Sequence, residues 1–148
     1  VLMLVGDGPN YEKIKQAARD HKFSDRIILT GECNCIEKIY SAFDVFVMPS
    51  RYEGLGIVAL EAQISGLMCI VSDKVPKDVV LSDEILFIPL SDKKKWIDNI
   101  LKDKSSDLDA REKFYNMNIN MIKKYDITEN VKVLEKEYST YLNKANGE

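Results

Sequence analysis

At 148 residues the chain has the length of one domain and enough material to bury a core. Its apolar content of 45% and charged content of 30% are those of an ordinary globular domain. The net charge of −3 leaves no basic excess to neutralise phosphates, which argues against nucleic-acid binding, and no apolar run reaches membrane-spanning length.

Val1 to Val5 is a continuous apolar run that predicts a strand buried on both faces. It carries neither the charged n-region nor the cleavage site of a signal peptide, so the chain reads as starting inside a fold. Gly6-Asp7-Gly8-Pro9-Asn10 turns the chain, and Tyr11 to His21 follows with helical spacing. Arg26 to Thr30 predicts a second strand, closed by Gly31, and Ile36 to Phe43 a short helix. Asp44 to Met48 predicts a third strand, 56–65 a helix, Leu67 to Val71 a fourth strand and Ile85 to Ile88 a fifth. Strands alternating with helices imply an α/β fold: a Rossmann-like open parallel sheet with helices on both faces.

After Pro89 the character changes. Helices are expected over 91–104, 107–125 and 128–143, the last opened by Thr128 and Glu129. The expected organisation is therefore a sheet core over 1–90, helices packed on it over 91–143, and a disordered tail over 144–148.

Cys33, Cys35 and Cys69 are an odd number of cysteines, read as reduced thiols in a cytoplasmic protein. Cys33-Asn34-Cys35 invites a metal reading, but zinc needs about four ligands and the single histidine, His21, supplies no more than one. His21 also has no evident nucleophile partner, so a catalytic triad is unsupported. Tyr40, Tyr52 and Trp96 could stack on a base or a sugar, and packing in the core or at its edge is the plainer expectation for each.

Two glycine-rich turns and two carboxylates carry the chemistry. Gly6-Asp7-Gly8 begins like a dinucleotide fingerprint, but Tyr11 stands where the third glycine would be, and Glu32 is a poor match for the acidic residue that follows about twenty positions on. The turn is either a tight connection or a ligand-facing loop. Further on, Pro49-Ser50-Arg51-Tyr52-Glu53-Gly54-Leu55-Gly56-Ile57 links a strand to a helix that carries Glu61. Open α/β sheets bind ligands at the carboxyl ends of their strands, and N–H groups at a helix start favour an anion. The pattern suggests joint recognition of a sugar hydroxyl and a phosphate. A helical path from Glu53 to Glu61 would be about 12 Å, against the roughly 5–5.5 Å of a retaining glycosidase pair, so separate tasks suit the two carboxylates better. Alternatives remain open here: a non-catalytic nucleotide or nucleotide-sugar binding module, a Rossmann oxidoreductase, or an interaction domain whose glutamates are surface charge.

The succession of Leu4-Val5-Gly6-Asp7-Gly8-Pro9, Asp25-Arg26-Ile27, Thr30-Gly31, Asp44-Val45, Pro49-Ser50, Glu53-Gly54-Leu55-Gly56, Glu61-Ala62 and Gly66 resembles glycosyltransferase family 4, whose hallmark is the E-x7-E spacing of Glu53 and Glu61. Ser72 to Asp78 further resembles bacterial capsular and exopolysaccharide transferases of this group. The resemblance covers about 1–89. It implies the C-terminal, donor-binding half of a GT-B enzyme, here without its first strand and helix. It implies a retaining transferase that moves a hexose from a nucleotide-sugar, UDP being the commonest, to a polysaccharide or glycolipid acceptor held by an N-terminal domain. It implies no metal, a cytoplasmic location, and membrane contact only through that other domain.

Carried over residue by residue, Glu61 would bind the ribose hydroxyls and Glu53 the donor hexose, as the catalytic residue. Gly54, Leu55, Gly56 and Ile57 would present backbone N–H groups to sugar and diphosphate. Gly6 and Gly8 would line the donor site, and Thr30, Gly31, Glu32 and Cys33 would lie beside the base. Met68 replaces a frequent proline, a change expected to matter little. The family's diphosphate-binding Arg and Lys fall upstream of Val1 and its acceptor domain is absent, so the isolated chain is expected to be inactive.

Overall fold

The computed structural model describes residues 1–102 and 108–146. The chain forms two compact units, Val1–Ile39 and Tyr40–Glu148.

The first unit holds β1 (Leu2–Val5), α1 (Tyr11–Arg19), a single 3-10 turn at Ser24–Arg26, β2 (Ile27–Gly31) and most of α2 (Ile36–Tyr40). β1 and β2 pair in parallel with Leu2 opposite Ile27 and Leu4 opposite Leu29, and a register shift then brings Val5 opposite Gly31. The expectation that β1 is buried on both faces is not met: Leu2 is 52% exposed, and Leu4 and Val5 are exposed as well. A parallel strand is buried when helices cover both sides of it, and this unit has one nine-residue helix for its two strands.

The second unit holds β3 (Val45–Met48), α3 (Ile57–Ile64), β4 (Met68–Ser72), β5 (Ile85–Ile88), α4 (Lys93–Ile100), α5 (Leu108–Ile122) and α6 (Ile127–Asn146). Its three strands are parallel in the order β3-β4-β5. β4 is central, and all five of its residues are buried, which is why Met-Cys-Ile-Val-Ser reads as an almost unbroken apolar run. Trp96 of α4 packs on Met68, Ile70 and Ile88 and donates its indole N–H to Pro89 O at 3.0 Å, so it is core, as the sequence suggests. Asp92 caps α4 by accepting from the Lys95 N–H at 3.0 Å.

Two helix boundaries differ from expectation. α6 starts at Ile127 because the carboxylate of Asp126, not Thr128, caps it, accepting from the Thr128 N–H at 2.8 Å. That hydrogen bond, with others from the same turn, lowers the Asp126 pKa. α6 also runs on to Asn146, into the segment expected to be a tail, while Gly147 and Glu148 lie outside the described residues. The expected helix ends at 103–104 and at 107 also lie outside them.

Candidate functional site

The candidate segment begins at the carboxyl end of β3. Met48 is buried, Pro49 stops the strand, and the Ser50 carbonyl accepts from the Ser72 hydroxyl at the end of β4. Ser72 is fully buried, and its oxygen also accepts from the Lys74 N–H at 3.2 Å. One hydroxyl thus ties the loop after β3 to the loop after β4. The sequence reading missed it, because nothing about a serine at a strand end shows what lies across the sheet.

The loop then rises to the surface. Tyr52 is 86% exposed, which corrects the expectation that it packs in the core or at its edge. Glu53 is half-buried beside it, and Gly54 and Leu55 are exposed. Gly56 is buried, with φ +86° and ψ +47°, the left-handed conformation that glycine adopts without strain. It also sits where a Cβ would lie 3.3 Å from both Met48 Cε and Val75 Cγ1. Gly56 therefore serves both as the bend and as the point of close packing that launches α3 from the strand end. It has no side chain with which to cap the helix. No side chain caps the first amide N–H groups of α3; the Ala59 N–H donates to Gly56 O at 2.9 Å, and the residues that carry the two before it, Ile57 and Val58, are exposed.

Glu61 lies one turn further along and shares a face with Ile57. It is half-buried among Ala59, Leu60 and Ala62, all buried. Its Oε2 accepts from the Tyr40 hydroxyl at 3.0 Å, and that hydroxyl also lies 3.2 Å from Val58 O. Tyr40 is 2% exposed, with its ring edge-on to Phe43 and Phe46. Burial foremost, then the hydrogen bond to Glu61, then that carboxylate's charge, push the Tyr40 pKa well above its ordinary 10.0. Tyr40 stays a neutral donor. The core reading of Tyr40 holds, but its hydroxyl partner was not legible: a tyrosine 21 residues upstream gives no local signal of where its oxygen ends.

Two further braces keep α3 in place. The Gln63 amide is fully buried and fully paired: its N–H2 donates to Ala59 O at 3.0 Å and Val79 O at 2.8 Å, and its oxygen accepts from the Leu81 N–H at 3.0 Å. Arg111 of α5 donates to Tyr40 O at 3.4 Å and to Phe43 O, and its side chain packs over Gly66.

The other expected donor residues lie in the first unit. The Gly6 N–H donates to Gly31 O at 2.8 Å, and Thr30 Oγ1 donates within the same corner, to Gly31 O at 2.9 Å. Gly6 and Gly31 both have positive φ, +125° and +68°. Gly8 is exposed, its N–H donating to Asp7 Oδ1 at 2.6 Å. The Tyr11 hydroxyl would lie 3.8 Å from a Cβ on Gly31, so the residue in place of a third glycine closes this turn. Glu32 is exposed, and Cys33 Sγ lies 3.5 Å from Cys35 Sγ, both thiols free. Among the described residues no group of three or more His, Cys, Asp or Glu side chains could hold a metal ion, and no helix is long and apolar enough to cross a membrane.

A groove of about 540 Å³ between Val80–Glu84 and α5 lies at the amino end of β5, whereas the loop with Glu53 and the helix with Glu61 follow the carboxyl end of β3. We assign it no part in the site, because ligands of parallel α/β sheets bind at the carboxyl ends.

Comparison with known proteins bears on this geometry. Residues 1–102 match the family described as "Glycosyl transferases group 1". A Bacillus subtilis (strain 168) protein named as the glycosyltransferase EpsF is 45% identical over 78 residues, 53% of this chain and 20% of its own length. An Escherichia coli UDP-Gal:alpha-D-GlcNAc-diphosphoundecaprenol alpha-1,3-galactosyltransferase is 35% identical over 105 residues, 69% of this chain and 27% of its own. The chain thus spans about a fifth to a quarter of these relatives. The crystal structure of the pneumococcal O-GlcNAc transferase GtfA, in complex with UDP and GlcNAc, superposes with a TM-score of 0.63 at 21% identity, over 90% of this chain and 29% of that one. This is a likeness of fold.

Proposed function

The chain belongs to the group 1 glycosyl transferases, and from that premise we propose that it is the donor-binding part of a retaining sugar transferase. The observation that carries the reading is Glu61. Its carboxylate stands one turn past the uncapped start of α3, at the carboxyl end of β3, with one oxygen held by a buried tyrosine. A carboxylate beside a helix start that no side chain caps suits a ligand that carries both vicinal hydroxyls and phosphates. A nucleoside diphosphate sugar is such a ligand.

In this reading Glu61 binds the ribose hydroxyls. The N–H groups from Gly54 to Ile57 meet the diphosphate and the sugar, and Glu53 contacts the hexose. Uridine is the first candidate for the base. The UDP named in the GtfA complex and the UDP-Gal named for the Escherichia coli relative support that choice. The acceptor is a glycan or a lipid-linked glycan held by a part of the protein outside this chain, and the diphosphoundecaprenol in that relative's name supports the lipid-linked form. Configuration is retained by attack of the acceptor on the face that the diphosphate leaves. The reaction uses no metal ion and takes place in the cytoplasm. In this reading the 148-residue chain alone transfers no sugar, because it spans only about a fifth to a quarter of the length of these transferases.

Ligand-observed NMR with UDP, GDP, ADP and NAD tests the reading. One nucleoside diphosphate should bind, and Glu61→Ala should weaken it on the order of tenfold or more, the worth of a hydrogen bond to a charged group. Binding of NAD in preference, or nucleotide binding indifferent to Glu61→Ala, would refute it. Sugar transfer at an ordinary rate by the isolated chain would refute the inactivity.

A further inference from the structure

We propose that Tyr40 is a positioning residue for the donor ribose: its hydroxyl fixes the Glu61 carboxylate so that the second carboxylate oxygen meets a ribose hydroxyl. This rests on the donor-site reading of Glu61 given above.

A glutamate on a helix surface samples many rotamers, and ordering it on binding weakens the complex. Here one of its two oxygens, Oε2, is already engaged at 3.0 Å. The donor is itself immobile, since the Tyr40 ring is buried and wedged edge-on between Phe43 and Phe46. Its backbone carbonyl is held by Arg111, at 3.4 Å. The hydroxyl has one proton and two acceptors in reach, Glu61 Oε2 and Val58 O at 3.2 Å, and the charged acceptor forms the stronger bond. Both acceptors lie on α3, so Tyr40 also pins the first half of that helix. With Oε2 engaged by Tyr40 and the side chain only half-buried, Oε1 is the oxygen left for a ligand.

The consequence is specific to the ribose. In the intact protein, binding of the preferred nucleoside diphosphate among UDP, GDP and ADP is compared with binding of its 2′-deoxy and 3′-deoxy analogues, by calorimetry. Tyr40→Phe should cut, several-fold, the preference for the ribonucleotide over the analogue that lacks the contacted hydroxyl, and leave that analogue's affinity unchanged. A tyrosine that only packs the core would move all three affinities together. Glu61→Ala separates the two levels of the argument. If it erases the ribose preference while Tyr40→Phe does not, the role of Tyr40 is overturned and the donor site stands. If it leaves the ribose preference intact, the donor-site reading falls, and this inference with it. Should Tyr40→Phe fail to fold, the unmodified protein still decides: the shielded Tyr40 hydroxyl proton should shift in NMR on saturation with the ribonucleotide and not with the analogue that lacks the contacted hydroxyl. An unmoved signal overturns the proposal.

Discussion

Replacing Gly56 by alanine should damage the protein far more than replacing Gly54, two residues away in the same loop. Gly56 has φ +86° and is buried, and an added Cβ would lie 3.3 Å from Met48 Cε, 3.3 Å from Val75 Cγ1 and 3.5 Å from Val79 Cγ1. A left-handed alanine costs roughly 1–2 kcal/mol, and an extra methyl in a packed site about 1–3 kcal/mol. Together these come to about 2–5 kcal/mol. For a chain of this size that is a fall in Tm on the order of 5–15 °C. Gly54 has no atom within 4 Å of its would-be Cβ and no positive φ. Gly54→Ala should therefore stay within about 0.5 kcal/mol of the parent. Thermal unfolding followed by circular dichroism reads both variants. A Gly56→Ala protein as stable as the parent, or a Gly54→Ala protein equally damaged, would refute the assignment of Gly56 as the packed bend that sets α3. Since α3 carries Glu61, Gly56→Ala should also weaken nucleotide binding at temperatures where the variant is still folded.

Gln63→Ala strips partners from the buried Val79 carbonyl and the Leu81 N–H; it should cost about 2–4 kcal/mol, seen as a lower urea midpoint at unchanged slope. Gly66→Ala places a Cβ 2.8 Å from Arg111 Cβ and 3.0 Å from its Cα, at φ +72°. It should lower the melting temperature and expose the start of α5 to faster hydrogen exchange, and an unchanged melt would show that α5 does not pack on this turn. Burial pushes the Cys69 thiol from its ordinary 9.0 up to about 12, so at pH 8 a thiol reagent should modify Cys69 only on unfolding, while the exposed Cys35 is within its reach in the folded protein. Between pH 9.0 and about 12 the unfolded chain loses a proton at Cys69 that the folded chain keeps. Stability should therefore be whole below pH 9.0 and fall as pH rises through that window, Tyr40 acting in the same direction, and an alkaline limb unaltered in Cys69→Ala would contradict it.

Much of the architecture was legible because it is written in short-range pattern. β5 spans Ile85–Ile88 as expected, and β2, β3, β4, α1 and α3 lie within a residue or two of the expected bounds. Apolar runs of four or five residues, closed by Gly31, Pro49 or Pro89, carry strand information within themselves. Gly56 could be marked as special because a left-handed bend before a helix selects glycine locally. Burial was less legible. Val1–Val5 has the composition of a doubly covered strand, yet its exposure depends on how many helices stand near it. Asp126 outcompeted Thr128 as a cap because the geometry of the preceding turn, not the residue type, decides which side chain reaches the N–H.

The sequence by itself determined the alternation of strands and helices, the glycine bend, and the presence of two carboxylates eight positions apart on a loop and the helix after it. Each depends on neighbours a few bonds away. Only the tertiary structure decided what holds those carboxylates. The Tyr40 hydroxyl reaches Glu61 across 21 residues, Ser72 reaches Ser50 across 22, and Gln63 reaches Leu81 across 18. A hydrogen bond needs its atoms placed to within a few tenths of an ångström. Such placement comes from parallel strand register and helix packing summed over the whole unit, and no local pattern of residues encodes it.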